Sequence, residues 1–496
     1  MTTTATTLPE SPAPSVPEDG PPAYRWRWAA LFVILAVEVM DLLDVLVTNI
    51  AGPSIRADLG GSASVIQWLG AGYTLAMAVG MITGGRLGDL YGRKRMFLIG
   101  AAGFVAASAL CALAQSPELL VGTRVLQGLF GAVMLPQGLG LIKEMFPPKE
   151  LGAAFGAFGP VMALSAVGGP ILAGWLVDAD LWGTGWRMIF LINVPLGLAA
   201  LVAAVRFLPE SRADGALRLD LTGAGLVSAA AALLIYPLVQ GRELGWPLWT
   251  FGLIAASVLL FAVFGRHQVR RQRAGRDTLV LPSLFRRRAF SGGLIAGLAF
   301  FAGMMGFNLV FSLYIQVGLG FSPFRTGLAS VPSALGIIAG FGIASGGGLV
   351  QRFGRRLLQA GIGVMVLGCA GFAVTLRVAG TDLTIWQLAP GLAVFGIGMG
   401  LVMAPFFDII LAGVEEGESG SASGLLNAVQ QFGGALGLAV LGTLFFDHID
   451  WTPTGVDPVS FADAVQLVLM VEIALLAVTF LVSFVLPKSA RPGEGH

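Results

Sequence analysis

Long apolar runs separated by short polar stretches organise the chain from residue 28 to residue 486. About 20 apolar residues in a helix cross the hydrocarbon core of a bilayer. Windows of that length predict 14 spans, near 28–50, 64–86, 96–115, 117–142, 150–177, 186–208, 219–240, 247–265, 289–317, 325–350, 356–377, 384–411, 418–446 and 462–486. In lipid each span must satisfy its own backbone hydrogen bonds, and these runs lack the short alternating segments of a membrane barrel. The predicted fold class is therefore all-α integral membrane, with 14 transmembrane helices.

The basic positions set the orientation. With both termini cytoplasmic, the inner loops hold Arg25, Arg27, Arg86, Arg93, Lys94, Arg95, Lys143, Lys149, Arg212, Arg218, the arginine run between Arg266 and Arg288, Arg352, Arg355, Arg356 and Lys488. The outer loops keep Arg56, Arg187, Arg242, Arg325 and Arg377, which is the bias the positive-inside rule demands. The expected location is the cell membrane, multi-pass.

Composition removes several other classes. Of the 496 residues, 55% are hydrophobic and 12% are charged, more apolar surface than a soluble globule hides. A net charge of +1 argues against nucleic acid as a partner. The two cysteines, Cys111 and Cys369, sit inside apolar runs, so neither a disulfide framework nor a thiolate metal site is expected. His267 and His448 fall in expected loops and His496 is terminal, so no histidine metal site is expected and no cofactor is called for. No phosphate-loop signature or paired catalytic constellation occurs, so the chain is not read as an enzyme or as driven directly by ATP.

The chain also repeats itself. Tyr91, Gly92 and Arg93 between the second and third spans match Phe353, Gly354 and Arg355 between the tenth and eleventh. This predicts two six-helix halves related by an axis along the membrane normal, with a two-helix insertion between them. The plan is a disordered cytoplasmic tail at 1–27, a six-helix bundle at 28–208, and a two-helix insertion with a basic cytoplasmic loop at 209–288. A second six-helix bundle at 289–486 and a cytoplasmic tail at 487–496 complete it.

Five segments carry a family resemblance: Gly85 to Arg95, Arg124 to Gly128, Gly156 to Gly174, Leu43 and Asp44 with Asn49 to Ile55, and Trp186 to Gly197. Together they resemble the major facilitator superfamily, and within it the 14-helix drug:proton antiporters. The resemblance implies a cavity at the bilayer midplane, alternating access, and proton-coupled export of an amphipathic or cationic small molecule. The sequence departs from that pattern at Asp41, an added acid, at Val45 and Leu46, and at Asp408. The alternatives are an importer or symporter of the same fold, and a non-transporting membrane sensor or enzyme.

The candidate chemistry lies in acids within apolar runs. Asp41 and Asp44 are three residues apart and share a helix face, with Glu38 three residues before. A carboxylate at mid-membrane depth must face water, pair with a cation or hold a proton. Arg124 stands inside a span and needs a partner, and Gln127 lies one turn on. Asp44, Asp41, Arg124 and Asp408 are thus the candidates for proton coupling. Asp408 has Glu415, Glu416 and Glu418 after it.

Gating is expected from Gly85, Asp89, Gly92 and Arg93 in the first basic turn, where a carboxylate meets a cation in one state and loses it in the other. Gly159, Pro160, Gly169 and Pro170 are expected to kink the fifth span and pack it between the halves. For substrate contact, Trp68, Tyr73, Met134, Gln137, Asn308, Tyr314, Gln316, Asn427 and Gln430 supply the aromatic faces, soft sulfur and adaptable polar groups of a promiscuous cavity. The expected partners are a small-molecule substrate, protons and membrane lipids, the last touched by the run from Arg266 to Arg288. The chain is expected to be a monomer.

Overall fold

The expected apolar runs emerge as helices in a computed structural model that describes residues 24–212, 219–346, 348–379, 383–412, 414–415, 418–449, 451–452 and 455–488. Residues 1–23, Arg218, Glu416 and 489–496, expected in tails and loops, and Gly347, expected near the end of the run 325–350, lie outside the described residues. The helices are α1 (Arg27–Leu59), α2 (Ser64–Tyr91), α3 (Arg93–Ala112), α4 (Pro117–Met145), α5 (Pro148–Gly156), α6 (Phe158–Asp178), α7 (Met188–Leu191), α8 (Asn193–Phe207), α9 (Leu221–Gln240) and α10 (Leu248–Arg273). They continue as α11 (Pro282–Arg286), α12 (Arg288–Leu313), α13 (Pro323–Ala329), α14 (Val331–Gly346), α15 (Leu349–Phe353), α16 (Arg355–Ala379), α17 (Ile385–Leu411), α18 (Ser419–Asp447) and α19 (Pro458–Ser483). A two-residue antiparallel pair, Trp451–Thr452 with Gly455–Val456, links α18 to α19.

Polar residues at the boundaries start several of these helices. Ser116 accepts from the Leu119 N–H at 3.2 Å and precedes Pro117, a proline at the first helical position where no N–H is needed. Asp457 caps α19 in the same way, accepting from the Ser460 N–H at 2.8 Å.

Three expected spans are broken, each just upstream of a proline. The run expected at 150–177 divides into α5 and α6 before Pro160, and the run at 186–208 into α7 and α8 before Pro195. The run at 325–350 divides into α13 and α14 before Pro332. A proline lacks the N–H that would bond one turn back, an effect that hydropathy does not register, while the linking residues Ala157, Ile192 and Ser330 keep helical dihedral angles. The first helix is longer than expected, reaching Leu59 rather than residue 50.

Among the described residues, twelve helices are long and apolar enough to cross a membrane. A count of 14 also needs α1 and α6, which stand outside that set. The first is 33 residues long but carries Glu38, Asp41, Asp44 and Arg56.

Helices α1 to α8 pack on one another, as do α12 to α19, and α9 and α10 form a hairpin whose α9 rests on both α2 and α18. The two halves close their basic turns in one manner. The Arg93 N–H donates to Ser211 O at 2.9 Å, and the Arg355 N–H donates to Lys488 O at 3.2 Å. Gly92 and Gly354, just before these arginines, have φ of 100° and 48°, a region where a side chain would be strained. These contacts define the end of the molecule that carries residues 24 and 488.

Hydrogen bonds joining the halves cluster at the opposite end. Gln67 Nε2 donates to Leu438 O at 3.1 Å, Ala439 O at 3.2 Å and Thr443 Oγ1 at 3.2 Å. Asn49 Nδ2 donates to Asn308 Oδ1 at 3.1 Å, and Gln316 Nε2 donates to Ile50 O at 3.0 Å. Glycines there allow backbones to touch: a Cβ added at Gly174 would lie 2.3 Å from Pro323 O, and one at Gly327 would lie 2.3 Å from Pro170 O. Nearer the other end, a Cβ added at Gly152, Gly156, Gly346, Gly420 or Gly424 would meet nothing within 4 Å.

Candidate functional site

One buried polar cluster joins four helices of the first half. Arg124 on α4 and Asp44 on α1 form an ion pair with both side chains sealed from solvent. Arg124 also donates to Gln127 Oε1 at 2.6 Å and, through Nε, to Leu69 O at 3.2 Å. Gln127 lies three residues after Arg124 and so shares its helix face. Asp44 Oδ1 accepts from Gln127 Nε2 at 3.0 Å and from Asn193 Nδ2 on α8 at 2.9 Å. Ser108 on α3 accepts from Gln127 Nε2 at 2.7 Å and from Asn193 Nδ2 at 3.4 Å. Burying two charges is costly, and this set of hydrogen bonds is what makes the pair tenable.

Asp41 lies beside this cluster without the same support. It is buried and accepts a hydrogen bond from the Tyr73 hydroxyl of α2. The Arg124 guanidinium carbon stands 4.2 Å from the centre of the Tyr73 ring and 5.7 Å from that of Phe190, so the ring joins the two acids through a cation–π contact. The expected face shared by Asp41 and Asp44 is thus split between partners on α2 and on α4 and α8. Asp408 is exposed on α17, apart from this cluster.

The gating candidates fall into two groups. Arg93 pairs with Asp89 at 2.9 Å and with Glu144 of α4 at 3.3 Å, tying α2 to α4. Gly85 is in ordinary contact, its added Cβ lying 3.7 Å from Pro136, whereas the close approach belongs to Gly84 and Gly88. A Cβ at Gly84 would lie 2.1 Å from Ala132 O, and one at Gly88 would lie 1.7 Å from Gln137 Oε1. Gly159 and Pro160 lie in the first turn of α6. Gly169 packs on Leu43 and Leu46 of α1, and the Pro170 carbonyl meets Gly327 across the halves.

The substrate candidates are not brought together. Trp68 turns to the insertion, donating to Gln240 Oε1 at 3.3 Å and packing on Tyr236. Met134 is sealed against Gly100, Gln137 donates to Gly84 O and Val133 O at 2.8 Å each, and Tyr73 is committed to Asp41. Tyr314 is buried between Phe372 and Phe461. These five are packing positions in this state, because their spans turn those faces toward neighbouring helices. Asn308 is exposed, Gln316 joins the halves through Ile50 O, and Asn427 and Gln430 are half-buried on α18.

The insertion has a polar anchor of its own. Asp220, before α9, accepts from the Gly223 N–H at 2.9 Å and from Gln268 Nε2 at 2.8 Å, with His267 Nε2 at 3.0 Å and Arg271 NH1 at 3.5 Å. Burial works to raise the Asp220 carboxyl, but the hydrogen bonds from His267, Gly223 and Gln268 and the charge of Arg271 outweigh it and hold the carboxyl below its ordinary value. Arg86 of α2 donates to Thr278 O, joining this anchor to the first basic turn. Among the described residues no group of three or more His, Cys, Asp or Glu could hold a metal ion.

Sequence reasoning overlooked Asn193 and Ser108 as members of the site, and Glu472 on α19. A lone polar residue within an apolar run is the signal that marks each of them.

Comparison with known proteins bears on the same helices. The family model of the Major Facilitator Superfamily matches residues 33–438. The chain is 54% identical over 440 residues to a protein of Streptomyces coelicolor described as a probable actinorhodin transporter, covering 88% of this chain and 76% of that one. It is 35% identical over 424 residues to the tetracenomycin C resistance and export protein of Streptomyces glaucescens, covering 85% and 76%. It is 36% identical over 425 residues to a puromycin resistance protein of Streptomyces alboniger, covering 84% and 82%. A solved structure of a POT family transporter in complex with 5-aminolevulinic acid superposes with a TM-score of 0.67 over 93% of this chain and 96% of that one. At 16% identity, that likeness concerns the fold. The chain belongs to the Major Facilitator Superfamily and is a multi-pass membrane transporter of small molecules.

Proposed function

We propose that this transporter exports amphipathic or cationic small molecules in exchange for protons, with Asp44 as the switch. The observation that carries the reading is the sealed Asp44–Arg124 pair at the meeting point of α1, α3, α4 and α8. A proton arriving on Asp44 Oδ2 removes the charge that Arg124 pairs with, while Arg124 keeps Gln127 Oε1, Leu69 O and the Tyr73 ring. The preferred arrangement of α1 against α4 and α8 then changes with the proton, which is what coupling to alternating access requires.

In this reading α1 and α6 are spans as well, making 14, and the end carrying residues 24 and 488 is cytoplasmic, as the distribution of Lys and Arg favours. The contacts between the halves through Gln67, Asn49 and Gly174 then close the outer side, so this is an inward-facing state. Relatives described as transporting actinorhodin and exporting tetracenomycin C support export as the direction. Asp89, Arg93 and Glu144 serve as the cytoplasmic gate. The run from Arg266 to Arg288 meets anionic lipid headgroups, and the working unit is a monomer.

The test uses inverted membrane vesicles with actinorhodin and puromycin as trial substrates and an imposed proton gradient. Accumulation that collapses when the gradient is dissipated, and that is lost in Asp44→Asn, is the expected result. Accumulation that survives dissipation, or movement of substrate with the proton rather than against it, overturns the proposal.

A further inference from the structure

The second half contains a buried acid that no step above uses. Glu472 stands in the middle of α19 with an exposure of 0%, and since lipid-facing surface would count as exposed, protein surrounds it on every side. Neither carboxyl oxygen has a hydrogen-bond partner among the described residues. A Cβ added at Gly303 of α12 would lie 2.2 Å from Glu472 Oε2, so the absence of a side chain there makes the room the carboxyl occupies.

Among the described residues the surroundings hold no counter-charge. α19 packs on α12, α16, α18 and the π-helical turn Tyr314–Gly318. Of these, α12 is charged only at its first residue, Arg288, and α18 only at its last, Asp447. α16 carries Arg355, Arg356 and Arg377 near its ends and places Cys369 near the carboxyl. Tyr314 packs at the level of Phe461, about 16 Å along α19 from Glu472 at 1.5 Å per residue. On α19 itself the other acid, Asp463, is exposed. An ionised carboxylate with no donor and no cation in an apolar site is strongly disfavoured, and the neutral acid is the form this site accommodates.

The position has a counterpart in the other half. Ser108 follows Gly92 by 16 residues and Cys369 follows Gly354 by 15, so both lie at one level of the helix after the matching basic turn. Ser108 belongs to the Asp44 cluster, whose acid is on the first helix of its half and whose Asn193 is on the last. Around Cys369 the arrangement is exchanged: the first helix supplies Gly303 and the last supplies the acid. Among the described residues no arginine takes the place of Arg124.

We propose that Glu472 is a second proton-binding site, in the half that lacks the Asp44–Arg124 pair. It holds its proton in the state seen here and gives it up when α12 and α19 rearrange around Gly303. Its part in transport rests on the proton exchange proposed above, but its occupancy by a proton does not.

Infrared difference spectra of the purified full chain against Glu472→Gln test this without any substrate. The expected result is a carbonyl band of a protonated carboxyl at neutral pH that is absent from Glu472→Gln, persists in Asp44→Asn, and disappears as the solution is made alkaline. Dicyclohexylcarbodiimide, which adds to protonated carboxyls in apolar sites, should label the Glu472 peptide of the native chain with the same pH dependence, so the test survives a variant that fails to fold. No such band and no adduct at neutral pH would overturn the proposal. So would a band that never titrates, which marks a permanently neutral structural acid. Failure of proton exchange itself shows up separately, as efflux by native vesicles without proton movement.

Discussion

Asn193 on α8 donates to Asp44 Oδ1 at 2.9 Å, the carboxyl oxygen that the Arg124 ion pair does not use. With Gln127 on the same oxygen, the carboxylate is held by three side chains, two from one face of α4 and one from α8. Removing one member of a buried ion pair leaves the other charge uncompensated, at a cost of about 3–5 kcal/mol. Asp44→Asn should therefore lower the thermal unfolding temperature in detergent and abolish proton-linked efflux. The double change Asp44→Asn with Arg124→Gln should recover much of the stability and none of the exchange. Coupled efflux by either variant in vesicles would remove this pair from the mechanism.

Two adjacent glycines of α2 should behave differently. A methyl at Gly84 would run into the Ala132 carbonyl at 2.1 Å, backbone against backbone, whereas one at Gly85 finds Pro136 at an ordinary 3.7 Å. Overpacking typically costs about 1–3 kcal/mol, and more where backbone cannot yield. Gly84→Ala should reduce the yield of folded protein and its unfolding temperature, while Gly85→Ala should leave both near native. Equal tolerance of the two would mean that α2 and α4 are further apart.

Gln67 is the side chain with most hydrogen bonds across the halves at their closed end, reaching Leu438 O, Ala439 O and Thr443 Oγ1. The two protons of Gln67 Nε2 are shared among these three acceptors, so Gln67→Leu removes the equivalent of about two hydrogen bonds, each worth about 1 kcal/mol net. Ala57 of α1 and Asp447 of α18 are exposed at this end and serve as reporter positions. Spin labels placed there should move to longer separations in Gln67→Leu. An unchanged distance distribution would show that the closed end is held by packing instead.

The Asp220 anchor gives a pH dependence with a defined sign. Its carboxyl is held below the ordinary value of 3.8, so the folded protein binds that proton less readily than the unfolded chain does. The stabilisation is fully present above that value and is lost as pH falls through the lower folded one. Asp220→Asn, which keeps an oxygen for the Gly223 N–H, should flatten the acid side of the unfolding temperature against pH, whereas Asp220→Ala should also weaken the start of α9 by about 1 kcal/mol, the usual worth of a helix cap. An acid limb identical to that of the native chain would place the titration elsewhere.

Much of the architecture is legible in order along the chain, because a span's apolar length and the charge of its flanks are local properties. The expected runs coincide closely with α2, α3, α4, α9, α16, α17 and α18, and the matched basic turns at Gly92 and Gly354 close in the same way. Asp44 and Arg124 stand out for the same reason, since each is a charge within an apolar stretch whose presence requires a partner.

Which partner each finds is a different matter. A transmembrane helix that is apolar all round carries little periodic signal for which face meets a neighbour, so the choice among partners is made by packing between helices. Asn193 reaches Asp44 across 149 positions of sequence, Gly84 rather than Gly85 makes the close seam, and Met134 and Gln137 turn inward instead of toward a cavity. Glu472 shows the contrast most clearly: its charge is plain in the sequence, but the missing donors and the space left by Gly303 exist only once α12, α16 and α19 come together.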